Sequence, residues 1–295
     1  MIQSEILKTV RHIEISTKSI INSVIAGAYH SSFKGNGMEF AEVREYIPGD
    51  DVRLIDWNVT ARSGTPHIKK FVEERELTLM LAVDASASGH FGTSNQFKSE
   101  VMATLSALLA FAAVKNNDKV GLMIFTDEIE MLIPPAKGRK HVLRLVRELL
   151  CFKPQSKGTN ISNALEHLNK VLKRKSIVVL ASDFYDKNFE KPLQLLNQRH
   201  EVLAIGVEDP RERELPSMGL IELEDPETGE SHLIDSSSRK VRKVFAAQSI
   251  QRAKEREDFM KRLRVDWVPI LMQKEYKDTI SPLVDYFRKR QALGV

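Results

Sequence analysis

Apolar and polar positions follow two different periods along this chain, and the changes of period mark out its elements. Residues 77–83, LTLMLAV, are almost purely apolar, the pattern of a strand covered on both faces, as in a parallel sheet between helices. Similar short runs recur in KVGLMIFT, SIVVLASDF, EVLAIGVED and RVDWVPIL. Between them, apolar residues return at helical spacing over residues 96–115, Arg139–Cys151, 161–173 and 189–199, in a basic stretch at 239–264, and from about Tyr276 onward. EIEMLIPP predicts an edge strand whose two prolines stop further pairing, and GLIELEDPETGESHLID predicts a hairpin. The alternation predicts an α/β fold with a doubly wound, mostly parallel sheet, an N-terminal extension and an inserted hairpin.

The first 75 residues have a different texture. Residues 6–28 carry Ile, Leu and Val at helical spacing, HSSFKGNGMEF reads as a Gly-rich loop, and a compact charged segment follows. Its Pro48-Gly49-Asp50 signals a tight turn, and HIKKFVEE reads as an edge strand leading into the main sheet. Arg44, Asp50, Asp51, Arg53, Asp56, Trp57 and Arg62 read as a buried network of ion pairs and hydrogen bonds fixing this segment to the sheet, since the arginine fork suits such pairing, ahead of a peptide-binding or catalytic set. The division expected is a segment at 1–75 packed on the sheet, and a domain at 76–295.

Composition narrows the function classes. With 42% hydrophobic and 28% charged residues, the chain has the balance of an ordinary globular protein. Its longest strongly apolar stretch, residues 105–114, is too short to cross a bilayer, and the start lacks the pattern of a signal peptide, so a cytoplasmic protein is expected. Cys151 is the single cysteine, which rules out an intrachain disulfide and a cysteine-built zinc site. A net charge of +4 does not by itself imply nucleic acid. The charge is uneven, however, with ten Arg or Lys against three acids over residues 238–264. The ordinary reading is a solvated helix face, and the sharper one a docking face for an acidic partner.

Candidate chemistry begins where the first buried run ends. Asp84, Ser86 and Ser88 follow that strand, Thr159 precedes a helix in KGTNIS, and Asp183 ends the strand in LASDFYD. In an open α/β sheet these loops emerge at the edge where ligands bind. Two carboxylates and three hydroxyls are hard oxygen donors, a set suited to Mg²⁺ or Mn²⁺. Taken alone, DASAS also fits an Asx or Ser turn capping a helix.

The D-x-S-x-S run, the Thr in a later loop and the Asp ending a later strand together resemble the metal-ion-dependent adhesion site of von Willebrand factor type A domains. The resemblance implies that Ser86, Ser88 and Thr159 offer hydroxyls to the metal, that Asp84 and Asp183 act directly or through water, and that a partner protein supplies a further carboxylate. The segment GMEFAEVREYIPGDDVRLIDWNVTARSGTPHIKKFVEERE resembles the signature of the bacterial domain-of-unknown-function family number fifty-eight. Members are often encoded beside MoxR-type AAA+ ATPases, which implies such an ATPase as partner and an adaptor or chaperone-like, non-enzymatic role.

Two alternatives match the sequence less fully. A metal-dependent hydrolase using Asp84 or Ser86 lacks a second acid two residues after Asp84, a complete nucleophile elbow and a phosphate-binding loop. Nucleic-acid binding through the helix at 239–264 lacks an aromatic stacking platform. His67 and His141 have no companions at metal-ligand spacing and read as structural or surface residues.

Overall fold

The computed structural model describes residues 37–74, 77–92, 97–224 and 231–293; the helix expected over residues 6–28 lies outside them. The chain divides between Leu77 and Thr78 into a small compact unit and a large one.

In the small unit, β1 (Gly37–Glu45) pairs antiparallel with β2 (His67–Glu74), with a register shift between Phe40 and Glu42. HIKKFVEE is therefore a strand, but its partner is β1 and not the main sheet. Part of the expected Gly-rich loop belongs to β1, because a ladder partner more than twenty residues away overrides local turn propensity. Asp50 builds the turn: its Oδ2 accepts from the Ile47 N–H at 2.9 Å, while Oδ1 pairs with Arg44 at 2.6 Å. Asp56 caps α1 (Trp57–Ser63) by accepting from the N–H groups of Asn58 and Val59, and Gly64 ends that helix in the left-handed conformation, φ 78°. Of the expected network, the Arg44–Asp50 ion pair forms, and Asp56 lies 3.5 Å from the Lys69 ammonium. Arg53 and Arg62 are exposed and Trp57 is 70% exposed, so the acids act mainly as turn and helix caps.

The large unit is built on a six-stranded sheet of order β10-β7-β6-β3-β4-β5. Its strands are β3 (Thr78–Asp84), β4 (Lys119–Phe125), β5 (Ile129–Ala136), β6 (Ile177–Ser182), β7 (Glu201–Glu208) and β10 (Asp266–Leu271). All neighbours are parallel except β5, which runs antiparallel on β4 at the edge. The remaining strands, β8 (Leu220–Glu224) and β9 (Ser231–Asp235), form the expected hairpin. Connecting helices are α2 (Lys98–Lys115), α3 (Arg139–Cys151), α4 (Ile161–Val171), α5 (Glu190–Arg199), the short α6 (Pro210–Arg213), α7 (Arg239–Leu263) and α8 (Tyr276–Leu293).

Side-chain alternation on the strands feeds two layers. Met80 and Ala82 of β3, with Met123 and Phe125 of β4, pack with Ile161, Leu165 and Leu168 of α4 and Leu193 and Leu196 of α5. On α2 almost every position from Val101 to Ala113 is buried, so this helix is embedded along its length rather than amphipathic. At Gly206 of β7 an added Cβ would collide with the outer edge of the Trp267 ring, so only glycine lets that indole approach the neighbouring strand so closely. Trp267 also meets Phe184 edge-on, with ring centroids 5.2 Å apart.

β3 connects through α2 to β4 on one side, and β6 lies on its other side. The gap between the C-terminal ends of β3 and β6 is therefore the topological switch point, where loops diverge and leave a crevice. Asp84 ends β3, and Ser182 ends β6 just ahead of Asp183.

Candidate functional site

Asp84 is almost wholly buried, 2% exposed, and both of its oxygens are engaged. Oδ1 accepts from the Ser86 backbone N–H at 2.9 Å, closing an Asx turn, and Oδ2 accepts from the Ser182 hydroxyl at 2.6 Å. The turn expected of DASAS therefore forms, but Ser86 at the start of the following 3₁₀ turn makes no side-chain cap. The turn also sets the alternation: with Asp84 folded onto Ser86, the Oγ atoms of Ser86 and Ser88 come to 3.0 Å from one another. A short 3₁₀ turn, Ala87–His90, carries the chain onward.

Backbone and side-chain bonds lace the other two loops to this turn. The Ala87 N–H donates to the Lys157 carbonyl at 3.0 Å, holding the loop of Thr159 beside the serines. Asp186 Oδ2 accepts from the Ile161 N–H at 2.7 Å, which caps α4 and fixes the loop after β6 against the loop of Thr159. Ser88, Thr159 and Asp183 line one cavity of about 510 Å³, whose apolar wall includes Phe91, Leu215 and Phe245. The structure therefore brings all five sequence-derived residues to one end of the sheet. Asp84, Ser86 and Ser88 are linked by direct hydrogen bonds, and Thr159 and Asp183 reach the same cavity as Ser88.

Asp183 adds a feature that the sequence reading lacks. Its Oδ2 accepts from the ammonium of Lys98 at 2.8 Å, and the same ammonium donates to Glu212 Oε1 at 2.8 Å. Lys98 is 1% exposed at the first position of α2. Burial alone would lower its pKa, but Asp183 and Glu212 outweigh this and hold it above the usual lysine value, so it is a fixed cation. The available signal was one lysine opening an otherwise buried apolar helix. Its partners stand 85 and 114 residues away, beyond the reach of local pattern.

Asp84 feels the opposite balance. Burial first, and then the charge of Asp183, push its pKa up to about 6, against the hydrogen bonds from Ser182 and Ser86. A neutral-pH Asp84 is therefore an ionised carboxylate held in a place that disfavours its charge.

The donor set fits a hard divalent cation. Adjacent ligands on an octahedron with ~2.1 Å metal–oxygen bonds are about 3.0 Å apart. The two serine hydroxyls stand at that separation. Ser86 Oγ lies 3.0 Å from the Ser88 hydroxyl and also hydrogen-bonds the Asp84 carboxylate. Among the described residues no cluster of three His, Cys, Asp or Glu side chains forms a metal site, so any cation here depends on hydroxyl oxygens.

The basic helix is less uniform than its composition suggests. Arg242 donates to the carbonyls of Ser236 and Ser237, Arg256 pairs with Glu208 and lies over the Tyr185 ring, and Arg262 pairs with Glu190. Arg239, Lys240, Lys243, Arg252 and Lys254 are exposed. Among the described residues no helix is long and apolar enough to cross a membrane.

Known proteins resemble the chain over different shares of its length. An uncharacterized protein of Mycobacterium tuberculosis is 32% identical over 291 residues, covering 96% of this chain and 90% of that protein. The uncharacterized protein YeaD of Bacillus subtilis is 28% identical over 109 residues, 37% of this chain and 25% of its own. Among solved structures, the conserved hypothetical protein BatB of Bacteroides thetaiotaomicron aligns with a TM-score of 0.48 at 14% identity, covering 73% of this chain and 99% of that one. An aerotolerance-related membrane protein of Bacteroides fragilis aligns at 0.49 and 15%, covering 72% and 99%. The model of the family described as "Protein of unknown function DUF58" matches residues 42–256, and the chain belongs to that family.

Proposed function

We propose that this chain is a protein-binding module whose contact with its partner runs through a divalent cation, Mg²⁺ or Mn²⁺. Ser86, Ser88 and Thr159 would hold the ion by their hydroxyls, with Asp84 and Asp183 supplying charge directly or through water. When bound, the cation would offer an attachment point for a carboxylate of the partner. The observation that carries this reading is the 3.0 Å approach of the Ser86 and Ser88 hydroxyls beside two carboxylates at the switch point of the sheet. The partner we propose is a MoxR-type AAA+ ATPase in the cytoplasm, with this chain as adaptor or chaperone-like factor.

Binding is favoured over hydrolysis by the burial of Ser86, which at 1% exposure leaves a substrate little access to its hydroxyl. The chain's own residues would serve to orient and to exclude water: the Asx turn aims the hydroxyls, Ser182 fixes Asp84, and the loop bonds through Lys157 and Asp186 keep the three loops in register. Affinity capture of the ATPase by the wild-type chain, with and without EDTA and with Asp84→Ala, tests the proposal. Capture should fail in EDTA and in the variant. Undiminished capture under both conditions would overturn it.

A further inference from the structure

Lys98 stands out among the charged groups nearest Asp183, in a cavity that Asp186, Lys187 and Arg211 also line. Asp84, Asp183 and Glu212 supply three negative charges, and Lys98 supplies one positive charge in contact with two of them. A fully buried lysine at a helix start is unfavourable unless paired, and an apolar residue in that place would continue the pattern of Val101, Met102 and Leu105. Lys98 lines the same cavity as Ser88, Thr159 and Asp183, so it is part of the centre's surroundings.

We propose that Lys98 sets the charge of the candidate metal centre, occupying one carboxylate equivalent so that a divalent ion binds weakly alone and the loaded centre still accepts an outside carboxylate. This rests on the metal reading given under Proposed function. A neutral side chain in place of Lys98 would leave the loaded centre one charge more negative than in wild type, and so less receptive to an incoming carboxylate. Glu212 acts in the opposite sense, since it shares the ammonium and leaves Asp183 less fully neutralised. Its other oxygen accepts from the Asp209 N–H at 2.8 Å in the capping box of α6, a role that glutamine can keep.

The two residues therefore give opposite signs in one measurement. Calorimetric titration with Mn²⁺ should show Lys98→Met binding about tenfold tighter than wild type, and Glu212→Gln weaker by a similar factor, as expected for removing a charge a few ångströms from the ion. A purely structural ion pair would move both variants in the same direction, toward weaker binding. Acetate, as the simplest carboxylate, should raise the apparent Mn²⁺ affinity of wild type more than that of Lys98→Met. Should Lys98→Met fail to fold, Glu212→Gln carries the test: unchanged or tighter binding there overturns the proposal. Wild type that binds Mn²⁺ no more weakly than folded Lys98→Met overturns this inference alone. Wild type that binds no Mn²⁺ overturns the metal reading and this inference with it.

Discussion

Replacing Asp84 by asparagine probes the electrostatics of the centre without any cation. The carboxylate's pKa is raised from 3.8 to about 6 in the folded chain. Below pH 3.8 both folded and unfolded states carry the proton. Between 3.8 and 6 the unfolded state loses it first, so stability falls as pH rises through that window and levels off above it. The total loss at neutral pH is about 3 kcal/mol, and about half of that remains at pH 5. Asparagine keeps an oxygen for the Ser86 N–H and offers an N–H to the Ser182 hydroxyl, at some cost in geometry. In EDTA at pH 7.5, Asp84→Asn should therefore be more stable than wild type by about 2–3 kcal/mol, roughly 5–10 °C in the unfolding midpoint. The assay is thermal unfolding of both proteins from pH 5 to 7.5, with and without Mg²⁺. The advantage should shrink toward pH 5, and Mg²⁺ should raise only the wild-type midpoint. A variant less stable than wild type in EDTA, or an advantage independent of pH, would refute the reasoning.

Three further outcomes are expected. Asp56→Ala should lower the unfolding midpoint of the small unit and Asp56→Ser largely keep it, because the side chain caps α1, whereas exposed Arg53→Ala should leave it unchanged. Gly206→Ala should displace Trp267, cost about 1–3 kcal/mol by overpacking, and shift the indole emission in a Trp57→Phe background, where Trp267 is the single tryptophan. Reversing Arg239, Lys240 and Lys243 to Glu, while sparing Arg242 for its bonds to Ser236 and Ser237, should slow association with an acidic partner mainly at low salt; a rate constant unaffected by reversal and salt would remove this face from consideration.

What could be read in advance follows from range. Buried parallel strands announce themselves because both faces are apolar, so residues 77–83 are plain, and α3 is plain because Val142, Leu145 and Val146 recur at helical spacing. The three site loops were locatable because each follows or precedes such an element. β1 was obscured by the glycines before it and by a polar sequence that pairs only with β2. α6 is four residues long and carries no periodicity. Lys98 and Glu212 were invisible because a lone lysine and a capping glutamate gain their meaning only when the sheet brings them together.

The bonds that define the centre join residues far apart along the chain: 98 positions for Ser182 and Asp84, 85 for Asp183 and Lys98, and 114 for Glu212 and Lys98. Pairing of β3 with β6 brings Ser182 and Asp183 to the end of β3, and such non-local closure is among the slower steps of folding. A nascent or truncated chain ending before β6 therefore has the D-x-S-x-S loop but no Ser182 or Asp183 to complete the centre. Cation-dependent partner binding would in this way be a property of the completed fold, separating a finished chain from one still being made.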